Sequence, residues 1–135
     1  MKKLYWLFVV VMVLALALPG AAFADEPSQD DGATGWCSNT NIVFFPGGSP
    51  GGPFATVVYN GAVQAAADLG ANVEYVWSDW NPEKMVTQFV EAVATGPDGI
   101  AIMGHPGDEA FGPLVEDAEA QGIIVTSMNT QLSTL

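Results

Sequence analysis

Asn41-Ile42-Val43-Phe44-Phe45 is an unbroken apolar run that stops at Pro46-Gly47-Gly48, and its reading decides the fold. A continuous run of this length, closed by turn residues, is the form of a strand buried on both faces. A loop of glycines and prolines follows as far as Pro53. Phe54, Val57, Val58, Gly61, Ala62, Ala65, Ala66 and Leu69 then recur at helical spacing, with Gly70 placed to end the helix.

The same unit returns downstream. Val73-Glu74-Tyr75-Val76-Trp77 reads as a second strand, and Asn81-Pro82 as the N-cap and first residue of a helix with Met85, Val86, Phe89, Val90 and Val93 on one face. Gly99-Ile100-Ala101-Ile102-Met103 is the third strand. Phe111, Leu114, Val115 and Ala118 line the next helix, and Ile123-Ile124-Val125-Thr126 is the fourth strand. Pro113 is harmless only in a first turn, which places that helix start between Asp108 and Ala110. Strands alternating with helices predict an α/β fold: a parallel sheet with helices on both faces, joined by right-handed crossovers. Ligands of such sheets sit at the C-terminal strand ends, so the loops after Phe45, Trp77, Met103 and Ser127 carry the interest.

Ahead of the first strand, Lys2-Lys3, an apolar stretch from Leu4 to Leu18 and the small-residue site Ala22-Phe23-Ala24 have the layout of a secretory signal peptide over residues 1–24, cleaved between Ala24 and Asp25. The apolar stretch, roughly 15 residues, is short of the ~20 that a spanning helix needs. Residues 25–40 read as a flexible acidic leader, and residues 41–135 as one domain. Cys37 lies too far from the cleavage site to carry a lipid, so no direct membrane anchoring is expected. As the only cysteine it is a buried apolar-like side chain, a free thiol or half of a bridge to another chain.

Without the signal peptide the chain sets 15 acidic side chains against one lysine, Lys84, and no arginine. Nucleic acid and anionic membrane surfaces are thereby excluded as partners.

Four loops hold the candidate site. Pro46 to Pro53 is glycine-rich between a strand and a helix, yet it lacks the Gly-Lys-Ser/Thr ending of a phosphate loop, and its prolines donate no N–H. It is either a turn-rich connection or a loop that presents Ser49 and Phe54 to a ligand. Ser78-Asp79-Trp80-Asn81 puts a carboxylate beside an indole, the pair that binds sugars: the carboxylate accepts hydroxyl hydrogen bonds, and the aromatic face packs on a ring's C–H face. The alternative is that Asp79 favours the helix N-terminus and Trp80 packs on the domain. His105, the only histidine, is a candidate for hydrogen bonding a ligand or a loop filler. No second histidine or cysteine pair accompanies it, so no metal or other cofactor is expected. Asn129 and Thr130 offer an amide and a hydroxyl suited to sugar hydroxyls, or else a plain turn. No catalytic residue is assigned, because the sequence holds no nucleophile elbow, dinucleotide fingerprint or metal constellation.

From Asn41 to Thr130 the chain resembles the type I periplasmic binding proteins of the ribose, xylose and autoinducer-2 group. The resemblance rests on Gly52-Pro53-Phe54, Asn60-Gly61-Ala62, Asp68-Leu69-Gly70, Asn81-Pro82-Glu83-Lys84, Pro97-Asp98-Gly99-Ile100 and Gly122-Ile123-Ile124-Val125, six segments in order behind a signal peptide. It implies the Rossmann-like N-terminal lobe of a two-lobed protein, with the second lobe absent. It also implies the substrate-binding component of a sugar ABC transporter, capturing a small sugar-like ligand in the periplasm for a membrane permease, without turnover. Phe54 falls where the family stacks an aromatic ring on the ligand. Asn129 and Thr130 stand where ribose binders carry an aspartate and an arginine, which argues against ribose. A sensor feeding a chemoreceptor or histidine kinase is the competing expectation.

Overall fold

A computed structural model of the chain describes residues 35–133 and 135. The expected signal peptide, its cleavage site at Ala24 and Asp25, and residues 25–34 of the expected leader lie outside the described residues.

The elements run β1 (Asn41–Phe45), α1 (Pro53–Leu69), β2 (Asn72–Tyr75), α2 (Pro82–Ala94), β3 (Gly99–Met103), α3 (Asp108–Ala120) and β4 (Ile124–Met128). All strands are parallel in the order β2-β1-β3-β4. The chain steps outward from β1 to β2 and then crosses back over β1 to β3. The switch point therefore lies between the C-terminal ends of β1 and β3.

Strand alternation decides what each face buries. Val43 and Phe45 share a face with Ile100, Ile102 and Val125, and there they meet Met85, Phe89 and Ala92 of α2 and Phe111, Val115 and Ala118 of α3. Phe89 and Phe111 meet edge to face at 4.9 Å between ring centroids, which ties the two helices together. The opposite face is covered by α1, where Phe44, Tyr59, Tyr75 and Trp77 form an aromatic chain. Along β4 that face is bare, and Ile124 is 70% exposed.

Local chemistry sets the helix ends. Asn81 Oδ1 accepts the backbone N–H of Lys84 at 2.9 Å, ahead of Pro82 at the first helical position. Gly70 adopts the left-handed conformation and its N–H returns to the carbonyl of Ala66.

Three boundaries differ from the sequence reading. Residues 35–40, read as the end of a flexible leader, form a turn seated on the end of α1, with the Cys37 N–H donating to Leu69 O at 2.9 Å. The second strand stops at Tyr75, and the Trp77 carbonyl accepts from the side chain of Gln88 in α2 rather than from a neighbouring strand. Ile123 belongs to the close of α3, donating its N–H to Ala118 O, and β4 runs on to Met128 beside Met103. α3 begins at Asp108, within the expected window, but Pro113 then stands at the sixth position, past the first turn. Its missing N–H leaves the carbonyl of Glu109 without its helical partner there.

Candidate functional site

The loops after β1, β2, β3 and β4 meet at the C-terminal edge of the sheet. The loop after β2 is the most constrained. Asp79 and Trp80 both have left-handed backbones, with φ of 56° and 55°, inside a turn closed by the Asn81 N–H on Ser78 O at 2.8 Å. Bulky residues avoid this region, so surrounding contacts must hold the turn. The base is held by Gln88: its carboxamide accepts from the Ser78 hydroxyl at 2.8 Å and donates to Trp77 O at 3.2 Å, and Ser78 is only 1% exposed. At the tip, the N–H groups of Asp79 and Trp80 donate to the carbonyls of Gly48 and Gly47 at 3.3 and 3.1 Å.

The Asp79 carboxylate is ion-paired with Lys84 at the surface. The hydrogen bond from Lys84 and, after it, one from Ser49 hold its carboxyl below the ordinary carboxylate range. Asp79 and Ser49 are thus neighbours, and the Asp79 carboxylate is engaged with Lys84. Phe54, at the start of α1, rests on Trp80 with ring centroids 5.9 Å apart, and the two residues are 50% and 54% exposed.

Trp80, His105, Asn129 and Thr130 line a single open cleft of about 240 Å³ together with Gly47, Asn81, Met85 and Gly104. Asn129 and Thr130 are exposed at its mouth. His105 has both ring nitrogens occupied: Nδ1 accepts the Gly107 N–H at 3.0 Å, and Nε2 donates to Gln131 O at 3.1 Å. These partners assign the neutral Nε2–H tautomer.

The sequence reading allowed a plain turn after β4 but missed the anchors beyond it. Asn129 turns the chain with a φ of 69°, Leu132 drops into the core at 1% exposure, and Ser133 donates its hydroxyl to Asp108 at 2.6 Å. That bond holds the Asp108 carboxyl below its ordinary range. The one available signal was Leu132 itself, an apolar residue between polar neighbours. Among the described residues no group of three or more His, Cys, Asp or Glu could hold a metal ion. None of the helices there is long and apolar enough to cross a membrane.

The chain is similar in fold to solved periplasmic proteins. A periplasmic ribose ABC transporter protein from Conexibacter woesei superposes with a TM-score of 0.63 at 21% identity, over 74% of this chain and 33% of that one. LsrB from Clostridium saccharobutylicum, solved in complex with AI-2, gives 0.62 at 19% identity over 69% and 28%. The arabinose-binding component from Shewanella sp. ANA-3 gives 0.55 at 22% identity over 65% and 28%. The chain spans about a third or less of these proteins' lengths. No curated protein is similar enough in sequence to match. The periplasmic binding protein domain matches residues 42–134, most of the chain, and with the parallel sheet and its loop-lined cleft this places the protein in the periplasmic binding protein family.

Proposed function

We propose that this protein captures a small polyhydroxylated solute in the periplasm and delivers it to the membrane permease of an ABC importer, without chemical change. The observation that carries the reading is the cleft at the switch point, where the exposed indole of Trp80 stands beside Asn129 and Thr130. An indole face and an amide-hydroxyl pair match the two characters of a sugar, its C–H face and its hydroxyls. The cleft lining includes no Asp, Glu, Lys or Arg side chain, which suits an uncharged ligand. Phe54 packs against the indole from outside the cleft lining. Sugar, arabinose and autoinducer binding among the structural relatives supports the same ligand class.

The test is a thermal-shift screen of the full-length protein against pentoses, hexoses, polyols and autoinducer-2. A ligand of the native state stabilises it by RT ln(1 + [L]/Kd), about 2.7 kcal/mol at 100 times Kd. A panel in which no compound raises the midpoint would overturn the reading. Export is tested separately by N-terminal sequencing of the periplasmic product, which is expected to begin at Asp25.

A further inference from the structure

In a doubly wound sheet, the crevice at the switch point is the natural space for a ligand. Here the chain fills it with an indole of its own. A Cβ at Gly47 would lie 2.4 Å from Cη2 and Cζ3 of Trp80, and one at Gly48 would lie 2.6 Å from Nε1; both contacts are impossible. A Cβ at Gly104, from the loop after β3, would touch Cζ3 at 3.7 Å. The ring thus lies flush in a slot made of glycines from two loops. The strained left-handed turn keeps it there, held by the Gly47 and Gly48 carbonyls at its tip and by Gln88 at its base. Strain retained by so many contacts is a mark of functional placement. What remains above the ring is the cleft of about 240 Å³.

We propose that Trp80 is a specificity-determining plug: seated in the slot of Gly47, Gly48 and Gly104, it fills the switch-point crevice and limits the ligand to a single ring resting on its outer face. The proposal rests on the solute-capture function argued above. It also makes a claim independent of the ligand, that removing the ring leaves a flat, indole-shaped slot.

The experiment uses the full-length protein, its W80G variant and two sets of probes. Free indole is expected to raise the thermal midpoint of W80G but not of the wild type, and the added methyl of a G48A/W80G double variant is expected to abolish the rescue. In a panel of monosaccharides and disaccharides, the wild type is expected to respond to a monosaccharide alone. W80G is expected to bind that sugar at least about tenfold more weakly and to gain a response to a disaccharide. G48A in the otherwise native chain covers the case in which W80G does not fold: its methyl expels the indole, and iodide quenching of tryptophan fluorescence rises. Unchanged monosaccharide affinity in W80G, or unchanged quenching in G48A, overturns the plug. Failed indole rescue beside intact sugar binding by the wild type overturns the plug alone. Successful indole rescue in a protein that answers to no sugar overturns solute capture, and the specificity role with it.

Discussion

His105 Nε2 donates to the carbonyl of Gln131 at 3.1 Å while the same ring accepts the Gly107 amide on Nδ1, so one imidazole joins the loop after β3 to the segment after β4. The histidine serves the architecture of the cleft wall. H105A is expected to cost about 1–2 kcal/mol of stability for the partners left open. Because no ring nitrogen is left for a ligand, a variant measured where it is fully folded is expected to keep its sugar affinity within a few-fold. Urea unfolding and a binding titration at low temperature check the two halves of this expectation.

Leu132 and Leu135 are three residues apart but differ in burial, 1% against 49% exposed. L132A is expected to lose about 2–5 kcal/mol, the range for emptying a packed leucine site. L135A is expected to stay within about 0.5 kcal/mol of the native chain. Denaturant midpoints of the two variants, compared at equal m-value, decide this.

Asp79 and Asp108 are both held below the ordinary carboxylate range, by Lys84 and Ser133 respectively. A depressed folded-state value means that each contribution is present above the unfolded value, near pH 3.9. It is lost as pH falls through the lower folded value. K84M and S133A are therefore each expected to flatten the fall in thermal midpoint between about pH 5 and pH 3, and to change little between pH 6 and pH 8. A midpoint-against-pH series on the three proteins reads it.

Pro113 interrupts the hydrogen bonds of α3 on an exposed face. Restoring the N–H in P113A is expected to stabilise the protein by about 1–2 kcal/mol, part of the ~3 kcal/mol propensity gap being offset by the stiffness proline lends the unfolded chain. Thermal unfolding checks the sign.

The parts of this protein that were legible in its sequence are those set by neighbours along the chain. The run from Asn41 to Phe45, the cap at Asn81 with Pro82 behind it, and the terminator Gly70 each act within a few residues, and periodicity exposes them. The cleft is different. That Trp80 stands at the sheet's ligand edge follows from strand order, but that its ring lies on Gly47 and Gly48 depends on a contact more than thirty residues away and on a backbone conformation that tryptophan rarely adopts. The sequence left His105 between a ligand group and a loop filler because its partner, Gln131 O, is a main-chain atom with no side-chain signature. Asp79 stayed open between a sugar-binding carboxylate and a helix-end charge because its helix-side partner, Lys84, looked like an ordinary surface lysine. Pro113 was placed by a rule about first turns, and an exposed helix face tolerated it one turn later.

The glycine slot leaves a signature that lineages should record. Gly47 and Gly104 have φ of 95° and 70° and would favour glycine whatever stood at position 80. Gly48 has no such backbone demand; Trp80 Nε1 and, more loosely, Ala55 Cβ crowd its missing side chain. Among descendants of this sequence, position 48 is therefore free to acquire a side chain only where position 80 has given up its large ring, and a pairing of the two in an alignment would be a fossil of the indole's seat.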